Sequence, residues 1–269
     1  MNRKINHLSI CYTLFLALPF LSAKLSGFFS EAVYFLAFLL PVVLGLVLDK
    51  QTPKGDQGLF TISKKEVKAT LPLIVPTVLV TMLISALTSM LIYAITGATN
   101  QVDVGDSIIV ALISHALIPA VLEEILFRYL PMKLLLGGSK RVTVIVSALF
   151  FALAHHSLFS IPYAFVAGII FMSIDVMTSS VIPSFILHFI NNAISVGMLV
   201  YADNEAFTPA VMAVLWILLV ISLVFIVKNR EAYLEKIKNV FKKDINVIYT
   251  VPLKIFTLIS LFIAVISLM

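Results

Sequence analysis

The chain has 269 residues, 61% of them hydrophobic and 12% charged, with a mean hydropathy of +1.08. Globular proteins carry about 25% charged residues, so this composition indicates an integral membrane protein with little sequence left for a soluble domain. The net charge of +5 comes from Lys and Arg in loops beside apolar runs, a mark of membrane orientation and not of nucleic-acid binding; the single cysteine, Cys11, excludes an intrachain disulfide and a cysteine metal cage.

Apolar runs predict an all-α, polytopic transmembrane helical bundle of about eight to nine spans. The N-terminus is basic (Arg3, Lys4) and then apolar, without a convincing small-x-small cleavage site, so it is read as an anchor. The first run is 8–23, with Pro19, and the second is 28–48. A polar loop, 49–69, carries Lys50, Lys54, Lys64, Lys65 and Lys68. The third run, 70–97, holds Pro72 and Pro76, and the loop 98–106 holds Asp103 and Asp106 without a basic residue. The fourth run, 107–130, ends in a Glu-Glu stretch, and Gly137-Gly138-Ser139-Lys140-Arg141 predicts a turn. Runs follow at 142–158, 161–179, 182–201 and 210–227, with Asp203 and Glu205 in the loop before the last of these. A basic amphipathic segment, 228–243, precedes a final run at 247–269. Three regions result: N-terminal helices over 1–106, a candidate catalytic core over 107–201, and C-terminal helices over 202–269. No internal repeat is seen.

With the N-terminus inside and alternating spans, the basic clusters at 3–4, 50–68, 133–141 and 228–243 fall on the cytoplasmic side. The acidic loops 98–106 and 202–209 then fall outside, as does a C-terminus reached after nine spans. Lys24 is the one loop exception.

The sequence Val121-Leu122-Glu123-Glu124-Ile125-Leu126-Phe127-Arg128-Tyr129 sets two carboxylates and a guanidinium within an apolar run. An ionisable group inside a span costs roughly 2.5–3.5 kcal/mol on insertion scales, so three together call for partners or a purpose. Glu124 and Arg128 share a helical face and can pair. Glu123 points toward the face of Phe127, which leaves it spare and suited to acid–base work. His155 and His156 end the fifth run, and His188 and Asn192 share a face of the seventh. His115 lies eight residues before Glu123, on a neighbouring face about two turns away, and Asp175 lies in the sixth run. Singly, each reads first as a satisfied intramembrane hydrogen bond, and His156 as interface.

Depth separates the set from that reading. At about 1.5 Å per residue, Glu123 and His188 lie roughly 10–15 Å from the cytoplasmic end and His155 roughly 20 Å in. A carboxylate and two imidazoles at nearly one level can hold and activate a water, with Asn192 as an oxyanion donor. Glu123, His155 and His188 are equally zinc ligands by donor type, and spacing alone does not separate the roles.

Glu123-Glu124-x-x-x-Arg128, Phe151-x-x-x-His155 and His188-x-x-x-Asn192, in this order on successive runs, resemble the three motifs of the CAAX protease and bacteriocin-processing (CPBP, or Abi) family of intramembrane endopeptidases. The resemblance spans 121–192. It implies a helical membrane bundle whose catalytic cavity opens toward the cytosol. It further implies that Glu123 and His155 activate water, that His188 and Asn192 polarise the scissile carbonyl, and that Glu124 and Arg128 support them. The resemblance leaves zinc-dependent and glutamate-type mechanisms both open, and zinc is the cofactor the site could take. The expected partners are a peptide or membrane-protein substrate and the lipid bilayer of the cell membrane, with no nucleic acid.

Other intramembrane protease classes lack their signatures here: there is no His-Glu-x-x-His, no Gly-x-Ser-x-Gly, and no Gly-x-Gly-Asp around Asp103–Asp106. The alternative class is a non-catalytic immunity or scaffold protein that binds a peptide or partner. Such a protein has no need of Glu123, His155, His188 and Asn192 together.

Overall fold

The computed structural model describes residues 1–22, 28–48, 59–99, 102, 104–105, 107–242 and 251–266, and among the described residues every regular element is helical. Lys24, Lys50, Lys54, Asp103, Asp106 and Lys243 lie outside the described residues. Lipid offers the backbone no hydrogen bonds, so apolar runs of this kind close their own as helices. Five are long and apolar enough to cross a membrane: Lys64–Thr96, Ile108–Leu135, Ile161–Thr178, Ile182–Val200 and Phe207–Lys228. The apolar stretches Phe35–Leu48 and Phe256–Ile266 are shorter. The protein is therefore a multi-pass helical membrane protein. By length and composition, five described helices are candidate spans, against the eight to nine read from the sequence.

In order, the chain forms α1 (Asn2–Ser22), α2 (Phe28–Leu48), α3 (Lys64–Thr70) and, after a 3-10 turn, α4 (Ile74–Thr96). A central rod follows: α5 (Ile108–Ala111), α6 (Ile118–Glu124) and α7 (Leu130–Leu135), joined by two π turns at Leu112–Leu117 and Ile125–Tyr129. Then come α8 (Lys140–Ala154), α9 (Ile161–Thr178), α10 (Ile182–Val200), α11 (Phe207–Lys228), α12 (Arg230–Val240) and α13 (Val251–Ile266). Ends follow local signals. Ser63 and Glu66 form a capping box on α3, and Ser139 accepts from Val142 N–H at the start of α8. Gly97, at φ 71°, ends α4 in the left-handed conformation that glycine adopts without steric cost. The polar loop read at 49–69 thus contains a short helix, α3, whose cap residues are hydrophilic and carry no apolar signal.

The core is aromatic. Tyr12 of α1 stacks on Phe127 at 5.2 Å, lies 4.1 Å from Phe150, and approaches Phe256 of α13 at 6.1 Å between ring centroids. Gly168 of α9 lets α8 approach closely: a Cβ there would sit 2.8 Å from Ala148 Cα. The close crossing fixes α8 and α9, and with them the ends of both helices, around the rod.

Contacts define two ends of the bundle. At one, Val181 N–H donates to the Leu59 carbonyl at 2.8 Å, and Tyr233 Oη donates to the Ala69 carbonyl at 2.6 Å. Met132, Val144, Val176, Val181 and Val240 share an apolar cluster there, and Gly138 lies against Met1. At the other, Ala111, Ala116 and Val196 form a cluster joined by Val104, Ile108 and Val200. Tyr201 and Phe207 meet beside it at 4.7 Å.

Candidate active site

Prolines build the rod around the site. Pro119 and Pro131 each follow a π turn by two residues and have no N–H to donate. A proline inside a helix also pushes against the carbonyl four residues earlier, and a wider turn relieves that contact. In the second π turn, Leu130 N–H bonds Ile125 O instead of Leu126 O. Two carbonyls are left over, and side chains take both: Tyr12 Oη donates to Leu126 O at 2.9 Å, and Ser147 Oγ donates to Phe127 O. The turn that carries Arg128 is thereby tied to α1 and α8. Buried carbonyls need such partners, so the irregularity is held in place by design of the surrounding sequence.

Glu123 and Glu124 end α6, one helical step apart, and face different surroundings. Glu124 is engaged at both oxygens: Oε1 is 2.8 Å from His188 Nδ1, and Oε2 is 3.3 Å from Arg128 Nε. The Glu124–Arg128 pair expected from the sequence is present. Arg128 is fully buried, with its guanidinium 4.3 Å from the Phe151 ring centroid and 5.6 Å from that of Phe171. Such cation–π contacts, with Ser147 Oγ 3.4 Å from Nη1, offset part of the desolvation of the charge. The Glu123 side chain is 19% exposed against 4% for Glu124, and this assigns the solvent-facing role to Glu123. Glu123 does not stand alone as the helical wheel suggested. His188 Nε2 is 3.7 Å from its Oε2, so the imidazole bonded to Glu124 also lies close to Glu123.

His155 follows the last turn of α8. Its Nδ1 is 2.8 Å from the Phe151 carbonyl. A carbonyl oxygen only accepts, so Nδ1 carries the proton in this contact and Nε2 presents a lone pair. His156 adopts φ 51°, which turns the chain away directly after His155. His156 stacks at 6.5 Å on Phe15 and stays out of the site. On α10, His188 and Asn192 lie one turn apart. Asp175 of α9 holds the start of that helix: its Oδ1 accepts the Ser184 N–H at 3.0 Å. The structural reading of Asp175 therefore holds.

Glu123, His155, His188 and Asn192 all line one cavity of about 540 Å³. Phe151, Phe171 and Tyr163 supply apolar wall, and Thr81, Ser85, His115, Asn191 and Ser195 supply polar wall. Tyr163, Asn191, Thr81 and Ser195 are not singled out by the motifs. On α10 a signal exists: His188, Asn191, Asn192 and Ser195 recur at helical spacing in an otherwise apolar run. Asn191 Oδ1 is 2.8 Å from Thr81 Oγ1, which pins one amide to α4, while Asn192 lines the cavity.

Among the described residues no three His, Cys, Asp or Glu side chains converge as a metal-ion cluster. Glu123, His155 and His188 share the cavity, and His188 commits Nδ1 to Glu124. Glu123, His155 and His188 are the donors in this cavity that would hold a zinc ion.

Residues 105–194 match the family described as Rce1-like, type II CAAX prenyl endopeptidase Rce1-like. The segment that carries the three motifs is thus similar to a family of CAAX prenyl endopeptidases. No curated protein and no solved structure matches the chain.

Proposed function

We propose that the protein is an intramembrane endopeptidase of the cell membrane that cuts a peptide or a membrane-anchored protein with a water activated by Glu123 and His155. The observation that carries this reading is the split of one acidic pair: Glu124 is locked by His188 and Arg128, while Glu123 faces the cavity that His155 and Asn192 also line. A water between the Glu123 carboxylate and His155 Nε2 gives a proton to Glu123 as its oxygen attacks the scissile carbonyl carbon. The negative charge on the carbonyl oxygen is met by the Asn192 amide, and by His188 Nε2 when that ring is doubly protonated. Collapse breaks the C–N bond, and the proton held by Glu123 passes to the leaving amine. Glu124 orients His188 through Nδ1, and Arg128 orients Glu124.

Membranes containing the protein, or its Glu123→Gln variant, are compared by peptide profiling. The wild type is expected to release fragments that the variant does not. Identical profiles at equal protein levels would favour the scaffold reading. A strong chelator added to the active preparation addresses the metal: a side-chain mechanism ignores it, and a zinc mechanism loses activity and regains it with Zn²⁺.

A further inference from the structure

α12 begins where a membrane span ends. α11 has 22 residues, which at about 1.5 Å each cross the hydrocarbon of a bilayer, and it closes at Lys228. α12 opens at Arg230, after the single residue Asn229. Asn229 has φ −111° and ψ 17°, off the helical track, and its Nδ2 donates to the Phe225 carbonyl at 2.9 Å. The chain therefore turns out of the span there, which leaves α12 at the level of the lipid headgroups. α12 has 11 residues, of which only Val240 is buried, in the cluster with Met132, Val144 and Val181. Tyr233 ties it to α3 through the Ala69 carbonyl. A helix of this length is marginal by itself in water, so two anchors leave the rest of its surface in need of a partner.

That surface pairs apolar with cationic groups. Leu234, Ile237 and Phe241 recur at helical spacing and are 51%, 42% and 38% exposed. Arg230 continues this strip toward α11, Lys238 borders it, and Lys228 and Lys242 stand at its two ends, all exposed. α3 lies alongside and adds the exposed Lys64, Lys65 and Lys68. Over α3 and residues 228–242, eight basic residues outnumber three acidic ones, Glu66, Glu231 and Glu235. Retention of Lys and Arg on one side of a membrane asks only for charge next to a span. It gives no reason for an exposed apolar strip among the charges. A strip of this kind, bordered by cations at the bilayer surface, suits a helix lying in the headgroup layer. Its apolar side chains then enter the acyl boundary and its basic groups meet phosphate. We propose that α12, with the lysines of α3, is a docking surface for the acidic phospholipid headgroups of the leaflet in which α11 ends. The surface stands whether or not the chain cuts peptides.

The test places the full chain in nanodiscs of phosphatidylcholine alone, or of an equal mixture with phosphatidylglycerol, and follows hydrogen exchange. In the acidic mixture the α12 amides are expected to exchange severalfold more slowly, and high salt should return them toward their rate in phosphatidylcholine. Equal exchange of α12 in the two lipids overturns the proposal. One variant combines Arg230→Gln, Lys238→Gln and Lys242→Gln, and a second combines Lys64→Gln, Lys65→Gln and Lys68→Gln. All six side chains are exposed, so neither set removes a buried contact. The first set should abolish most of the slowing, each neutralised charge weakening the contact about fivefold, and the second should reduce it. Slowing that survives both sets overturns the proposal. Inorganic phosphate or a soluble acidic peptide is added to the phosphatidylcholine nanodiscs as the last arm. Slowing there equal to that with phosphatidylglycerol would give the surface to a soluble ligand and overturn its assignment to the membrane.

Discussion

The two π turns of the central rod use one device to opposite ends. The turn at Leu112–Leu117 precedes Pro119 and carries His115, exposed toward the cavity. The turn at Ile125–Tyr129 precedes Pro131 and carries Leu126, Phe127 and Arg128, all buried. A wide turn frees backbone groups and redirects side chains. Where α1 and α8 supply Tyr12 and Ser147 to satisfy the freed carbonyls, the turn becomes a rigid mount for Arg128 and through it for Glu124 and His188. The first turn instead sends its residue to the cavity wall. The difference teaches that rigidity at this site comes from the neighbours of the irregular backbone, not from the irregularity itself.

Substitutions can break that contrast. Arg128→Ala leaves Glu124 buried without its cation, a loss of about 3–5 kcal/mol when a buried pair is split. Thermal unfolding in detergent should show a large fall, with reduced amounts in the membrane. Wild-type stability would mean that Arg128 serves substrate directly. Ser147→Ala orphans the Phe127 carbonyl and should cost about 1–3 kcal/mol, measured the same way. A neutral result would show that the second π turn holds without its α8 tie. His115→Ala, in the first turn, should stay within about 0.5 kcal/mol of wild type, because its side chain supports no buried group. A stability loss as large as that of Ser147→Ala would erase the distinction between the two turns.

Much of the helical plan was legible because lipid demands long apolar runs. The runs read at 161–179 and 182–201 correspond to Ile161–Thr178 and Ile182–Val200. The pairing of Glu124 with Arg128 was legible as well, since a four-residue separation survives in the second π turn. The neighbours of Glu123 were not. A regular helix at about 100° per residue puts His115 some 80° away from Glu123, on another face. The π turn between them inserts a residue, so eight residues act as about two full turns, and both side chains reach the same cavity. Nothing in hydrophobic periodicity marks such a turn, although the proline two residues later is a physical hint. His188 between the two carboxylates was also beyond reach, because the crossing of α10 with the rod depends on tertiary packing and on the Asp175 cap.

The central claim is that adjacent carboxylates divide the work, Glu123 for chemistry and Glu124 for architecture. Its most direct test measures thermal stability and substrate cleavage side by side for Glu123→Gln and Glu124→Gln. Glu123→Gln should unfold close to wild type and lose about 10²–10⁴-fold in turnover, the usual share of a general base. Glu124→Gln should unfold well below wild type, since Arg128 is then buried without its charge partner. A stable, fully active Glu123→Gln protein would contradict the account, and so would a Glu124→Gln protein as stable as the wild type.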